Sequence, residues 1–247
     1  FDVAIARHMF AHNDDPADLL AAMSLILSDD GIFLIENAYA LDTFQNGEFD
    51  QIYHEHMFYF SALNISALMQ KFDFELLDFF HSTVHGGSGI FICGKKGRHT
   101  PNASVQDTLD KERIAFKDNK IFHDFKLKIE SNKIKAMELI QEEKRQGQVV
   151  GAYGAPAKAF TVFSYYELDD SSIAFCIDTT PTKIGKVFPR FNIPILSEEA
   201  LNELEYNTVL INAWNYKEDI LKKASLIFKK GTKLIFLIPD LKIHIVK

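Results

Sequence analysis

Apolar positions fall into two rhythms along this chain. Val3-Ala4-Ile5-Ala6 is a short continuous apolar run, as in a strand covered on both faces, and it ends at Arg7-His8. Leu19, Leu20, Met23, Ile26 and Leu27 then recur at helical spacing. Asn13 or Asp14 is placed to cap that helix, Pro16 suits its first turn, and Gly31 marks the stop. Ile32 to Glu36 predicts a second strand, and a helix is expected from about Leu63 to Phe72. Two further strands, Phe74 to Phe80 and Gly89 to Gly94, flank the short turn Thr83 to Ser88, so a parallel start should end antiparallel.

The rhythm changes after residue 95. Ile114, Ile121, Phe125, Ile129, Ile134, Met137 and Ile140 punctuate a stretch rich in Lys, Glu and Asp, which predicts one or two amphipathic helices ended by Gly147, their charges forming a solvated face. Alternation of strand and helix then returns: strand 149–151, helix 156–166, strand 173–178, a short run at Ile193-Pro194-Ile195, a helix near 197–204, strand 208–212, helix 217–229 and strand 233–238. This is the pattern of a three-layer α/β domain with a mainly parallel sheet. The expected organisation is a first domain over 1–97, a helical linker over 98–147 and a second domain over 148–247.

Composition narrows the function. At 247 residues, with 47% hydrophobic and 25% charged residues, the chain has ample material for ordinary cores. A net charge of −7 opposes a nucleic-acid partner, and no apolar run approaches the ~20 residues of a membrane helix. Cys93 and Cys176 lie far apart in strand-like runs and read as reduced core thiols, which suits the cytoplasm.

The densest chemistry is the run Asp50 to Ser61, which holds Tyr53, His54, Glu55, His56 and Tyr59. An imidazole exchanges protons near neutral pH, and a carboxylate or phenol beside it can fix its orientation. If the run is extended, Glu55 points opposite to both imidazoles. A metal hydrolase built on His54, His56 and His12 is an alternative, although the spacing lacks the helical His-Glu-x-x-His form. His12 follows the first strand, at the edge where open α/β sheets hold ligands. His85-Gly86-Gly87-Ser88 is a flexible turn whose glycines allow positive φ or close approach. Gly151-Ala152-Tyr153-Gly154-Ala155-Pro156-Ala157-Lys158 reads as a strand entering a helix through a glycine turn, a place where backbone N–H groups can meet a phosphate. Asp178 stands where ribose-binding carboxylates occur.

In order along the chain, Ala6 to His12, Tyr53 to His56, His85 to Ser88, Gly151 to Lys158, Asp178 with Lys183-Ile184-Gly185, Ile193 to Ile195 and Ala213-Trp214-Asn215 resemble the S-adenosylmethionine-dependent C-methyltransferases of nucleotide-linked keto-deoxysugars. The resemblance implies the C-terminal half of a class I methyltransferase Rossmann-like domain followed by a smaller Rossmann-like α/β domain. It also implies that the chain begins within the methyltransferase part, so that the glycine-rich cofactor loop and a zinc-binding N-terminal domain lie outside it. His56 would be the base, with Tyr53, Glu55 and His12 positioning it or the substrate. His85, Ser88, Gly151, Tyr153, Gly154, Lys158, Asp178 and Lys183 would face the nucleotide sugar. A non-catalytic nucleotide-sugar-binding module is the other reading.

Overall fold

The computed structural model describes residues 1–247, the side chain of His85 excepted. Two compact units form: Phe1–Gln45 with His54–Phe125, and Asn46–Tyr53 with Lys126–Lys247. The expected linker over 98–147 is thus divided between them, and residues 46–53 depart from the first domain to join the second unit.

In the first unit, β1 (Val3–Arg7), β2 (Ile32–Ala38), β3 (Phe74–Ser82) and β4 (Ser88–Lys95) make a sheet of order β1-β2-β4-β3. β1 and β2 are parallel, while β4 runs antiparallel to both β2 and β3. The register Arg7↔Glu36, Ala38↔Ser88 and Ser82↔Ser88 brings the chemistry-bearing ends of four strands to one edge. β1 is an edge strand, with Val3 and Ile5 exposed.

Helix α1 (Pro16–Ile26) is capped by Asp15, whose carboxylate accepts the Ala17 and Asp18 N–H groups; this cap lies one or two residues beyond the sequence expectation. It buries Pro16 and Leu20, with Leu27 just past its end, whereas Ile26 is exposed. α2 (Ala40–Asn46) was not foreseen, because Ala40 to Asn46 is too short to show a period. α3 (Ala62–Gln70) starts in a capping box between Ser61 and Asn64. α4 (Ala103–Phe116) and α5 (Lys120–Arg145) are the amphipathic pair. Phe10, Phe33, Ile35, Phe74 and Phe91 sit at the centre of the apolar core, each at most 2% exposed.

The second unit is built on β5 (Val150–Tyr153), β6 (Cys176–Ile177), β7 (Ile195–Leu196), β8 (Thr208–Ile211), β9 (Lys233–Phe236) and β10 (Lys242–Ile245). Their order is β10-β9-β8-β5-β6-β7, parallel throughout except for β10. From β5 the chain builds outward through β6 and β7, then crosses to β8 and β9 on the other side. The carboxyl ends of β5 and β8 therefore flank the point where strand order reverses, the usual ligand crevice of such sheets. α6 (Ala157–Tyr166) and α7 (Lys217–Ile227) cover the sheet. The helix expected near 197–204 is a short 3-10 turn at Glu198–Asn202, and β10 is an unforeseen antiparallel edge. The protein is of mixed α/β class, with two mixed sheets.

Candidate functional site

Each unit carries its own cluster. In the first, a 3-10 turn at Phe10–His12 follows β1 and places the His12 ring at its end. The His12 and His56 rings meet edge to face with centroids 4.8 Å apart. The backbone holds the two segments together, because Met57 N–H donates to the Ala11 carbonyl at 3.0 Å. His56 is half-buried while His12 and Glu55 are exposed. The extended reading of this run is corrected: the chain turns at His54-Glu55, which sets the His54 ring 3.9 Å from the Glu55 carboxylate, with both side chains largely exposed. A turn breaks the two-residue alternation on which opposite pointing depends. Tyr53 belongs to the second unit.

Upstream of His12, Arg7 Nε pairs with Glu36 Oε2 at 2.8 Å, and His8 Nε2 lies 3.5 Å from Glu36 Oε1. His8 adopts φ +48, a left-handed conformation uncommon for a side chain of its size. The same sheet edge carries a pair that the sequence did not announce: His81 Nε2 and Asp42 Oδ2 lie 2.5 Å apart. Gly87 explains how Asp42 fits. A Cβ there would stand 2.2 Å from Asp42 Oδ2, and the residue has φ +146. The space opened by this glycine is filled by Asp42. Ser88 is likewise committed internally, being fully buried and donating its hydroxyl to the Val84 carbonyl at 3.0 Å. The expectation for His85 concerns a side chain outside the described residues.

Behind this edge, Tyr39 donates its hydroxyl to Glu112 Oε1 at 2.7 Å. The same carboxylate accepts the Ala62 and Leu63 N–H groups at 2.7 and 2.8 Å, so an acid from α4 caps the N-terminus of α3. Glu112 is fully buried, which corrects the reading of the charged stretch as wholly solvated. Burial first, then the hydrogen bond and charge of Glu112, push the Tyr39 phenol well above its ordinary pKa.

In the second unit, a pocket of about 370 Å³ opens at the carboxyl ends of β5, β6 and β8; Tyr153, Gly154, Lys158, Asp178, Lys183 and Asn215 are among its walls. Asp178 organises it. Its Oδ2 accepts Ala155 N–H at 2.7 Å and its Oδ1 accepts Thr180 N–H at 2.8 Å, while Lys183 Nζ lies 3.5 Å from Oδ2. Burial would raise this carboxyl, but Thr180, the Ala155 N–H and Lys183 together hold it below the ordinary carboxylate range. Lys183 also donates to the Ala155 carbonyl at 2.9 Å, so the turn entering α6 is clasped from both sides. Tyr153 donates to Glu198 Oε2 at 2.8 Å; burial first, then Glu198, raises its phenol.

Lys158 is held as well. Its ammonium donates to Asn215 Oδ1 at 3.0 Å, lies 3.5 Å from Asp50 Oδ2 and sits 4.5 Å above the Trp214 ring. Trp214 in turn donates its indole N–H to Asp50 Oδ2 at 2.6 Å. Gly151 is not part of the turn. It lies inside β5, where a Cβ would meet the Phe175 ring at 2.4 Å, so its role is close packing of sheet against ring. Both cysteines are free and buried, and burial raises each thiol.

Among the described residues no group of three or more His, Cys, Asp or Glu side chains could hold a metal ion, and no helix is long and apolar enough to cross a membrane. Residues 83–239 match the C-methyltransferase C-terminal domain family, and residues 1–78 match the methyltransferase domain. The C-methyltransferase NovU of Streptomyces niveus is 31% identical over 236 residues, which cover 95% of this chain and 56% of that protein. The chain spans about half the length of this curated relative.

Proposed function

The chain belongs to the C-methyltransferase family, and from that premise we propose that the protein methylates a carbon next to a ketone on a nucleotide-linked deoxysugar. The observation that carries this reading is the contact between His12 and His56 beside the ligand edge of the first sheet. A ketone acidifies its α C–H, but not enough for unaided loss at neutral pH, so a base must take the proton while polar groups hold the resulting enolate. His56 is assigned as that base. His12, against its ring, together with Glu55 and Tyr53, positions the imidazole or the sugar.

The pocket at Tyr153, Lys158 and Lys183 is assigned to the nucleotide diphosphate. Its two ammonium groups and the start of α6 supply the charge and N–H donors that phosphate oxygens favour. The match to a methyltransferase domain implies S-adenosylmethionine as methyl donor. The helix N-terminus nearest β1 does not fit an anionic end of that donor, because Asp15 already takes the Ala17 and Asp18 N–H groups. The chemistry assigned to these residues therefore ends at the enolate.

Exchange of the substrate's α-proton with deuterated solvent tests the assignment. The wild-type enzyme should catalyse it and His56→Ala should not, while both retain nucleotide-sugar binding. Full exchange in His56→Ala would remove His56 from the base role.

A further inference from the structure

Asp50 is a charged residue that no part of the methyl-transfer reading uses. It is fully buried, and among the described residues its Oδ1 makes no hydrogen bond. Its Oδ2 receives the Trp214 indole N–H and faces the Lys158 ammonium at 3.5 Å. All of these residues lie in the second unit. A carboxylate buried to this degree with one oxygen unsatisfied is costly, and Lys158 is the cation nearest to compensate it. Lys158 is at the same time a wall of the pocket, and its side chain is 17% exposed. The ammonium thus stands between an internal carboxylate and the place assigned to a diphosphate.

We propose that Asp50 is a positioning residue that acts as an internal competitor for Lys158, standing in for the ligand's phosphate when the pocket holds none. The inference rests on the assignment of this pocket to a phosphate-bearing ligand. A phosphate entering beside Tyr153 and Asn215 draws on the same ammonium and weakens its pairing with Asp50. Linkage makes the effect reciprocal: whatever tightens Asp50 on Lys158 weakens the phosphate, and the reverse. Asp50 lies in a segment anchored by the Phe49 ring against Tyr165 and Tyr166 and by Thr161, whose hydroxyl donates to the Ile52 carbonyl at 3.3 Å. That segment continues into Tyr53, His54, Glu55 and His56.

Trp214 is the single tryptophan of the chain, so its fluorescence reports on this cluster alone. The test titrates the 247-residue chain with inorganic pyrophosphate, following heat by calorimetry and emission from Trp214. Wild-type protein should bind with a change in emission. Asp50→Asn keeps an acceptor for the indole and removes the charge. It should bind roughly tenfold tighter, the scale of one charge-assisted contact, with the emission change lost. Equal or weaker binding by Asp50→Asn would show that Asp50 is only structural, while leaving the pocket assignment intact. No binding by either protein would overturn the pocket assignment and this inference with it. A second measurement needs no variant: amide exchange at Gln51 and Ile52 in wild-type protein should quicken when pyrophosphate binds. Slower or unchanged exchange there would also overturn the proposal.

Discussion

The rings of His12 and His56 meet edge to face at 4.8 Å, and the Met57 to Ala11 backbone hydrogen bond fixes the two segments that carry them. An imidazole that acts as base becomes cationic, so a neighbouring imidazole must stay neutral or orient its lone pair toward the new charge. The two histidines should therefore not be interchangeable.

His56→Ala should lower turnover by roughly 10² to 10⁴, the usual worth of a positioned base, with nucleotide-sugar affinity kept. His12→Ala should lower turnover less and act mainly by raising KM. Steady-state kinetics on both variants decide the matter; a reversal of the two effects would exchange the roles.

Gly151→Ala should destabilise the second unit by about 1–3 kcal/mol, because its methyl would overlap the Phe175 ring. Phe175→Leu in the same chain should recover part of that loss. Urea denaturation measures both. Were Gly151 a ligand contact instead, the variant would melt normally and lose pyrophosphate binding.

Asp178 sets a pH dependence whose sign follows from its lowered pKa. In the unfolded chain the carboxyl titrates near ~3.9 and in the folded chain lower, so folding favours its charged form. That contribution is fully present above about pH 4 and fades as the pH falls through the folded value. Asp178→Asn should be less stable than wild type at pH 7, with the gap closing below about pH 4. Denaturant midpoints measured across that range give the result directly.

β1 exposes Val3 and Ile5 on an outermost strand, an arrangement that invites pairing with another chain. The apparent mass of the chain by light scattering should rise with concentration, and Ile5→Lys should suppress the rise. A wild-type mass independent of concentration would contradict this.

Much of this architecture is legible in the residues because long elements carry strong periods. β2, β4, α5 and the alternation after Val149 all announce themselves in this way. The failures share a different cause. Glu112 lies on a helix among many charges, and nothing in the local pattern separates it from a solvated acid; its partners Ala62 and Leu63 are 50 and 49 residues away. Glu143 is the same case, receiving Thr208 at 2.7 Å and Lys233 at 2.6 Å while buried. Gly151 sits close enough to the turn to be mistaken for part of it, and the ring it packs against is distant in sequence. Asp50 drew no assignment because its partners, Lys158 and Trp214, lie far along the chain, Trp214 at a separation of 164 residues.

The carboxylate of Glu112 also bears on how the first unit opens. Its bonds to Ala62 and Leu63 satisfy the N–H groups that begin α3, and its bond to Tyr39 ties in the chain just after β2. Unravelling α4 alone would leave those donors and the Tyr39 hydroxyl bare within an apolar surrounding. Fraying of α4 is therefore tied to release of α3 and of the Tyr39 segment, and the three belong to one cooperative unit of native-state fluctuation. Their slowest-exchanging amides should share a common opening free energy, although Tyr39 and Glu112 stand 73 positions apart in the sequence.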